Sequence, residues 1–332
     1  MNNSQLVSIV VVTYNSSKYI TETLDSIANQ TYRNIEIIIT DDFSKDDTVE
    51  ICEKWLSDNK GKFVRELLLK SDRNTGISAN LNRGYHACKG EWVKEIAGDD
   101  LLLPDAIKDN IDYIKNCPEA KFVFSDRKEF KIVENRMVDV LKAQKYSRDY
   151  FYTLSPDDQY WDLVIRNVCI FSCTAFINKD AFVKLGGYDE TIPMLEDYPM
   201  WIKCTKSGYK MYYFPKQTVL YRVHQDSVSY NMGQKKHNVT LFDKSYYMAF
   251  MKYCYVPLKS LDKSFAVFKM LYYKDLATSS LLLNCILRVT RTFIRKTSLH
   301  GSPRIPFKQV MNDYISDHLL SIYRESYFNY GK

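Results

Sequence analysis

The chain opens on a continuous apolar run, Val7–Thr13, that stops at Tyr14-Asn15. An apolar run of strand length that ends in a polar turn reads as a buried β-strand entering a loop. Ile20, Leu24 and Ile27 follow at i, i+4 and i+7, which predicts a helix from Ser17 to Asn29. The alternation then repeats. Ile35–Thr40 and Phe63–Leu69 read as strands, with a helix between them carrying Val49, Cys52, Trp55 and Leu56. Gly76 opens a helix that runs through Leu81 and Tyr85 to Cys88. Trp92–Ala97 is a fourth strand, Pro104 starts a helix bearing Ile107, Ile111 and Ile114, and Phe122–Phe124 is a fifth strand.

Strand and helix thus alternate over the first third of the chain, the signature of an α/β fold: a Rossmann-like, mostly parallel sheet with helices on both faces. Such sheets bind ligands beyond the carboxyl ends of their strands. Residues 127–168 lack clear periodicity and are expected to form a long, partly mobile segment. Beyond them, Phe171–Ile177 reads as a strand, Gly186-Gly187 as a turn, Asp197–Lys206 as a helix, and Met211–Phe214 with Thr218–His224 as a strand pair. After Gly233 strand signals fade and a mostly helical region is expected, which divides the chain into 1–232 and 233–332.

Charge sharpens that division. The whole chain carries 46 Lys+Arg against 40 Asp+Glu, a net +6. Residues 233–332 hold 16 of the cations and only 6 of the acids, so the first region is slightly acidic and the second strongly basic. Within the second, Leu283, Ile286, Leu287, Phe293 and Ile294 share one helical face while Arg288, Arg291 and Arg295 lie on another. A basic amphipathic helix over 283–296 either rests on an anionic membrane surface or packs on the catalytic domain or a second copy of the chain. No apolar run approaches the ~20 residues of a membrane span, and no signal-peptide pattern opens the chain. A cytoplasmic protein, peripheral at most to the inner face of the cell membrane, is therefore expected. The eight Cys are scattered without a CxxC, which suits buried small hydrophobes better than disulfides or zinc. No nucleic-acid-binding motif is present.

The candidate chemistry lies in three acidic pairs. Asp41-Asp42 and Asp99-Asp100 each follow a buried strand, and Glu196-Asp197 opens a helix. Crowded carboxylates repel one another and need a cation or a hydrogen-bonding ligand to stay ionised. Their hard oxygens suit Mg²⁺ or Mn²⁺, which commonly bridge to substrate phosphates, so a nucleoside diphosphate fits such a site. Asp46-Asp47, placed just before a helix, reads as a cap.

Six stretches, taken in order, resemble an inverting family 2 glycosyltransferase of the non-processive, bacterial surface-polysaccharide type. They are Ser8–Asn15 with Ile27–Tyr32, Ile38–Ser44, Gly76–Asn82, Gly90–Trp92 with Gly98–Asp100, Gly186–Glu190 with Glu196-Asp197, and Tyr221–His224. The resemblance covers residues 5–230 and leaves the basic tail uncovered. It implies a GT-A fold and transfer of one sugar, with inversion, from a nucleotide-sugar donor, most often a UDP-sugar. The acceptor it implies is a glycan or lipid-linked glycan, as in O-antigen or capsule synthesis. It also implies that Thr13, Tyr14 and Asp42 hold the base, with Asn15 and Asn80 in the same nucleotide site and Asp41 supporting the loop. Asp99 would face the ribose and Asp100 would bind Mn²⁺ or Mg²⁺, with His224 as a further metal ligand or diphosphate contact. Asp197 would be the catalytic base, and Glu196 and Arg222 would support the acceptor side. Trp201, one turn beyond Asp197, either stacks on an acceptor sugar or, as the commoner role of such an aromatic, belongs to the core.

The chain departs from the family pattern at two points. Gly98 takes the first position of the usual Asp-x-Asp motif, and Asn80-Leu81-Asn82 stands where many members carry Ala-Arg-Asn. Phosphate contact is then expected from Arg83 or Arg222. The Gln-x-x-Arg-Trp signature of processive synthases is absent. A nicotinamide dehydrogenase is disfavoured because no GxGxxG follows the first strand. The remaining alternative is a non-catalytic nucleotide-binding or membrane-surface scaffold of the same fold.

Overall fold

The computed structural model describes residues 4–134, 136–140, 149–166, 170–225, 227, 245–246, 248–249 and 252–253. The basic helix expected over 283–296 lies outside the described residues, as does most of the 233–332 region. Among the described residues no helix is long and apolar enough to cross a membrane.

The first half follows the alternation closely. Strands β1 (Val7–Thr13), β2 (Ile35–Asp41), β3 (Arg65–Lys70) and β4 (Trp92–Ala97) are interleaved with α1 (Ile20–Ala28), α2 (Thr48–Asp58) and α3 (Ile77–Ala87). They form a parallel block in the order β3-β2-β1-β4. A two-residue strand β5 (Leu101–Leu102) and helix α4 (Ala106–Asn116) complete this half.

Alternate residues of β1 face opposite sides of the sheet, as the two-residue strand period requires. Val7, Ile9 and Val11 join Ile20, Leu24, Trp55 and Ile107 from α1, α2 and α4. Val10 and Val12 join Leu81 and Tyr85 of α3 in the core on the other face. Each such buried aliphatic side chain contributes about 1.5–3 kcal/mol by leaving water. Helix α3 lies so close to β1 that a Cβ on Gly84 would stand 2.4 Å from Val10 Cγ1.

The second half departs from the simple reading. Helix α8 (Asp197–Lys206) forms as expected. The segment 127–168, expected to be loop-like, instead carries most of a 12-residue strand β6 (Phe122–Val133), a short partner β7 (Arg136–Asp139), and helices α5 (Asp149–Thr153) and α6 (Pro156–Arg166). Gln159 anchors α6: its buried side chain accepts from the Met211 amide at 2.8 Å and donates to the Met211 carbonyl at 2.9 Å. The stretch expected as strand Phe171–Ile177 is a 3₁₀ turn, Ser172–Thr174, before a three-residue strand β8 (Phe176–Asn178), which leads into helix α7 (Lys179–Lys184).

The expected strand pair after Met211 is one strand, β9 (Met211–Arg222), parallel to β6. The register between β6 and β9 slips opposite Phe124–Arg127, where β9 runs through Pro215-Lys216-Gln217. Proline has no N–H for the ladder, so an irregularity accommodates it where a turn had been read. The whole sheet runs β3-β2-β1-β4-β8-β6-β9-β5, with β7 on β6. It is parallel in its first block and mixed beyond β4, because β8 pairs antiparallel with both β4 and β6.

Candidate active site

The carboxyl ends of β1 and β2 meet at Thr13 and Asp41-Asp42. The Thr13 hydroxyl donates to Asp41 Oδ1 at 2.9 Å, and the Ser44 amide donates to Asp41 Oδ2 at 2.8 Å. Asp41 is thus buried and bonded to both loops. Asp42 turns its carboxylate inward as well. It accepts from the Thr75 amide at 3.0 Å, the Thr75 hydroxyl at 2.6 Å and the Gly76 amide at 2.8 Å. Gly76 holds φ +87, a left-handed conformation that favours glycine, and so lets its N–H point at Asp42 just before α3 begins.

Two expectations change at this rim. Asn80 is buried: its amide group donates to the carbonyls of Thr13 at 3.3 Å and Thr40 at 3.1 Å, and its oxygen accepts from the Thr40 hydroxyl at 2.6 Å. It braces the strands rather than facing a nucleotide. Arg83 is likewise engaged within the protein, with Asn80 Oδ1 at 2.8 Å, the Thr75 hydroxyl at 2.9 Å and Asp42 at 3.5 Å. It is not held ready for phosphate. Asn15, at φ +52, accepts the Lys45 amide at 2.8 Å and ties the β1 loop to the β2 loop. Tyr14 beside it is 49% exposed, and Asn15 is itself exposed. An open depression of about 370 Å³ adjoins the rim, lined by Asp41, Phe43, Lys45, Glu50 and Lys70 among others.

The second acidic pair follows β4. Asp100 is buried, and its Oδ1 accepts the backbone N–H of Arg222 at 2.9 Å. The Arg222 guanidinium donates to the Asp99 carbonyl at 2.8 Å and pairs with Glu22 of α1 at 2.9 Å, with the rings of Tyr19 and Phe130 each 4.7 Å away. Arg222 is only 2% exposed. It clamps the acidic turn, and neither the acceptor-side role nor the phosphate role expected of it fits its placement. His224 Nε2 lies 2.9 Å from Asp99 Oδ2, with its ring against Tyr19. The Tyr-Arg-x-His segment therefore folds directly over Asp99-Asp100.

Burial, and then the charge of Asp99, push the Asp100 carboxyl well above the usual carboxylate range. A bound cation would hold it ionised. Two carboxylates and an imidazole at one turn are a donor set that suits Mn²⁺ or Mg²⁺. Among the described residues no three or more His, Cys, Asp and Glu side chains form a ready metal cage. The site fits a cation in donor chemistry, with part of the coordination left to water or ligand.

Two cations near this turn escaped the sequence reading. Lys94, fully buried in β4, donates to the carbonyls of Glu95 at 2.8 Å, Cys173 at 2.6 Å and Ala175 at 3.3 Å, and burial pulls its pKa down to about 8. Arg127 lies between the rings of Phe171 at 4.0 Å and Tyr221 at 3.9 Å and pairs with Glu129 at 2.7 Å. Both attract the Asp100 charge. A Lys-Glu pair inside the otherwise apolar run Trp92–Ala97 was the available signal for Lys94. Nothing local marks Arg127, whose neighbours come from β9 and the 3₁₀ turn.

The third pair opens α8. Asp197 Oδ1 accepts the Tyr198 amide at 2.6 Å, and the Ser172 side chain lies near enough to its carboxylate to favour the charged form. Enclosure by protein raises the Asp197 pKa, and enclosure together with the Asp197 charge pushes Glu196 up to about 8. Glu95, which accepts the Tyr85 and Tyr188 hydroxyls at 3.0 and 2.7 Å, adds to the negative field on Glu196. Trp201 is not an acceptor platform. It is 2% exposed and meets Phe124 edge-on at 4.9 Å, so it belongs to the core.

Short links join the three pairs. Lys94 grips the 172–174 turn at the Cys173 carbonyl, and Ser172 of that turn lies near Asp197. A Cβ on Gly76, the partner of Asp42, would stand 3.7 Å from the Pro193 carbonyl. The loop leading to Glu196 therefore borders the Asp42 turn.

A parallel strand block ending in a nucleotide-type rim, with a mixed second half that returns an Arg-His strap to an acidic turn, is the GT-A fold. The chain belongs to glycosyl transferase family 2, whose family model matches residues 8–184. It is 30% identical over 223 residues to an uncharacterized glycosyltransferase of Rickettsia typhi, an alignment that takes in 67% of this chain and spans 65% of that relative's length. It is 28% identical to the Escherichia coli UDP-Glc:alpha-D-GlcNAc-diphosphoundecaprenol beta-1,3-glucosyltransferase WfaP, over 68% of this chain and 81% of that one. Among solved structures, Staphylococcus aureus TarS 1–349 in complex with UDP-GlcNAc has a TM-score of 0.57 at 20% identity, covering 81% of this chain and 72% of that chain.

Proposed function

We propose that this protein transfers one sugar, with inversion, from a nucleotide-sugar donor to a glycan or lipid-linked glycan acceptor, with Asp197 as the base. A UDP-sugar is the favoured donor, and surface-polysaccharide assembly at the inner face of the membrane is the favoured setting. The observation that carries this reading is the enclosed Glu196–Asp197 pair, set beside the Ser172–Thr174 turn that Lys94 of β4 holds at Cys173, with Asp99 and Asp100 just beyond the end of β4. The glucosyltransferase relative, named for a UDP-sugar donor and a lipid-diphosphate acceptor, supports the same donor and acceptor classes.

In this reading Tyr14 offers its exposed ring to the base. Asp42 shapes the rim through the Thr75-Gly76 turn and reaches the base only by exchanging one of those bonds. Asp99 faces the ribose. Asp99 and Asp100, with His224 beside them, would hold Mn²⁺ or Mg²⁺, which supplies positive charge against the leaving diphosphate. Glu196, with a pKa of about 8, keeps the proton of its pair near neutral pH and leaves Asp197 as the ionised member. Asp197 then takes the proton of the acceptor hydroxyl. The acceptor oxygen bonds to the anomeric carbon as the bond to the diphosphate breaks, and the nucleoside diphosphate departs with the electron pair.

The test is Asp197→Asn in the full chain, assayed for transfer and for hydrolysis of a UDP-sugar panel, with UDP affinity measured by calorimetry in the presence of Mn²⁺. Transfer should fall by at least ~100-fold, as expected for loss of a general base, with UDP affinity unchanged. Turnover like that of the wild type would remove Asp197 from the role.

A further inference from the structure

A segment far downstream of the family match packs against the loop that leads to Asp197. Asp189 accepts from Lys252 Nζ at 2.8 Å and from the Tyr253 hydroxyl at 2.6 Å, and Lys252 also reaches the Thr191 hydroxyl at 3.2 Å. Asp189 additionally accepts the Thr191 amide at 3.0 Å and hydroxyl at 2.7 Å, so one carboxylate joins the loop to the downstream segment. Five residues on, the Met194 amide donates to the Ser245 hydroxyl at 3.2 Å. Beyond the acidic pair, Tyr246 stacks on Tyr198 with ring centroids 5.0 Å apart. Ser245 and Ala249 are fully buried and Tyr246 is 6% exposed, so this is a packed contact rather than a surface brush.

The contacts bracket the acidic pair. Asp189, Thr191 and Met194 precede Glu196-Asp197, and Tyr198 follows it. The Tyr198 hydroxyl in turn donates to the Leu163 carbonyl at 3.3 Å, which carries the clamp into α6. Asn82 and Glu95 hold the start of the loop at Tyr188 and Glu190, and from Asp189 onward the downstream segment adds its own hold. The loop contains no helix or strand between α7 and α8, and Gly186-Gly187 at its start are both at positive φ, at +77 and +65. A base must sit within hydrogen-bond reach of the hydroxyl it deprotonates, and displacement by about 1 Å can cost on the order of 100-fold in rate.

We propose that Ser245, Tyr246, Lys252 and Tyr253 complete the active site from beyond the residues that the family model matches. Lys252 and Tyr253 are positioning residues that fix the 189–198 loop, and through it Asp197. This deepens the transferase reading and rests on it for its kinetic arm only.

The experiment compares full-length wild type, Lys252→Ala, Tyr253→Phe and Lys252→Arg. Hydrogen exchange of peptides spanning 186–198 reads the clamp without reference to activity. Lys252→Ala and Tyr253→Phe should speed exchange there by about tenfold or more, with β1–β4 peptides unchanged and Lys252→Arg close to wild type. Where a donor sugar supports turnover, kcat should fall by about tenfold or more in Lys252→Ala while donor KM stays constant, and Lys252→Arg should restore it. Unchanged exchange in both Lys252→Ala and Tyr253→Phe would overturn the proposal. So would faster exchange with wild-type kcat. Failure of the wild type to turn over any donor would count against the transferase reading and leave the exchange result to decide the clamp. Tyr253→Phe removes a single oxygen and keeps the ring, so it remains informative if Lys252→Ala folds poorly.

Discussion

Gly84→Ala sets helix propensity against packing. Alanine is favoured over glycine in a helix interior by about 1 kcal/mol, so local preference alone makes the variant more stable. The structure opposes this. The new Cβ would stand 2.4 Å from Val10 Cγ1, 3.3 Å from Thr40 Cγ2 and 3.4 Å from Val10 Cγ2. Rotating Val10 to turn its Hβ toward the helix would drive a methyl into another part of a close-packed core. Val10 and Thr40 are both fully buried in neighbouring strands, so relief requires α3 to move away from the sheet. Overpacking of this kind costs about 1–3 kcal/mol, and an obstruction on a central strand lies at the upper end. The net expectation is a loss of about 2 kcal/mol, or roughly 3 °C in Tm for a chain of this size. Val10→Ala removes both obstructing methyls, so the double variant should be at least ~1 kcal/mol more stable than the two single losses added together. Urea denaturation followed by far-UV circular dichroism, on wild type, both singles and the double, measures all four corners. A Gly84→Ala protein as stable as wild type, or strictly additive effects, would refute the close approach of α3 to β1.

Two further outcomes follow from the site. Glu196 has a folded pKa of about 8, above its ordinary value, so the native state binds a proton there that the unfolded chain releases. Stability from this group is therefore greatest below the ordinary glutamate pKa and falls as pH rises towards 8. Denaturation at pH 5 and pH 8 should show a smaller fall for Glu196→Gln than for wild type, and an equal fall would contradict the assignment. Trp201→Phe should change stability by under ~1.5 kcal/mol, because it keeps the core ring and removes a buried Nε1 with no hydrogen-bond partner among the described residues. Acceptor KM should not move, and a large rise would return Trp201 to the acceptor site.

The parallel block was legible because each of its signals is local. Val7–Thr13 and Ile35–Asp41 are buried on both faces, so unbroken apolar runs announced them. The acidic pairs were legible for the same reason, since strand ends are visible in one dimension. Arg222 was noticed but misplaced: its identity is local, yet its partners Asp99, Asp100 and Glu22 come from two other parts of the chain. Asn80 failed in the same way. Helix α6 was missed because Tyr160, Leu163 and Val164, its buried stripe, are embedded among Asp157, Asp158 and Gln159. The polar Gln159 proved to be as enclosed as Leu163, satisfied by the backbone of β9 at Met211 and of α5 at Phe151. Strand β6 hid its length because Arg127 and Glu129 neutralise each other within it.

The Arg222 clamp sets how the acidic turn can respond to an arriving ligand. The turn is tethered through one residue to β9 and α1, so its ordering entropy is already spent in folding and little is left to lose on binding. Any substitution that slackens that tether would weaken a ligand's grip without touching a single atom in contact with it.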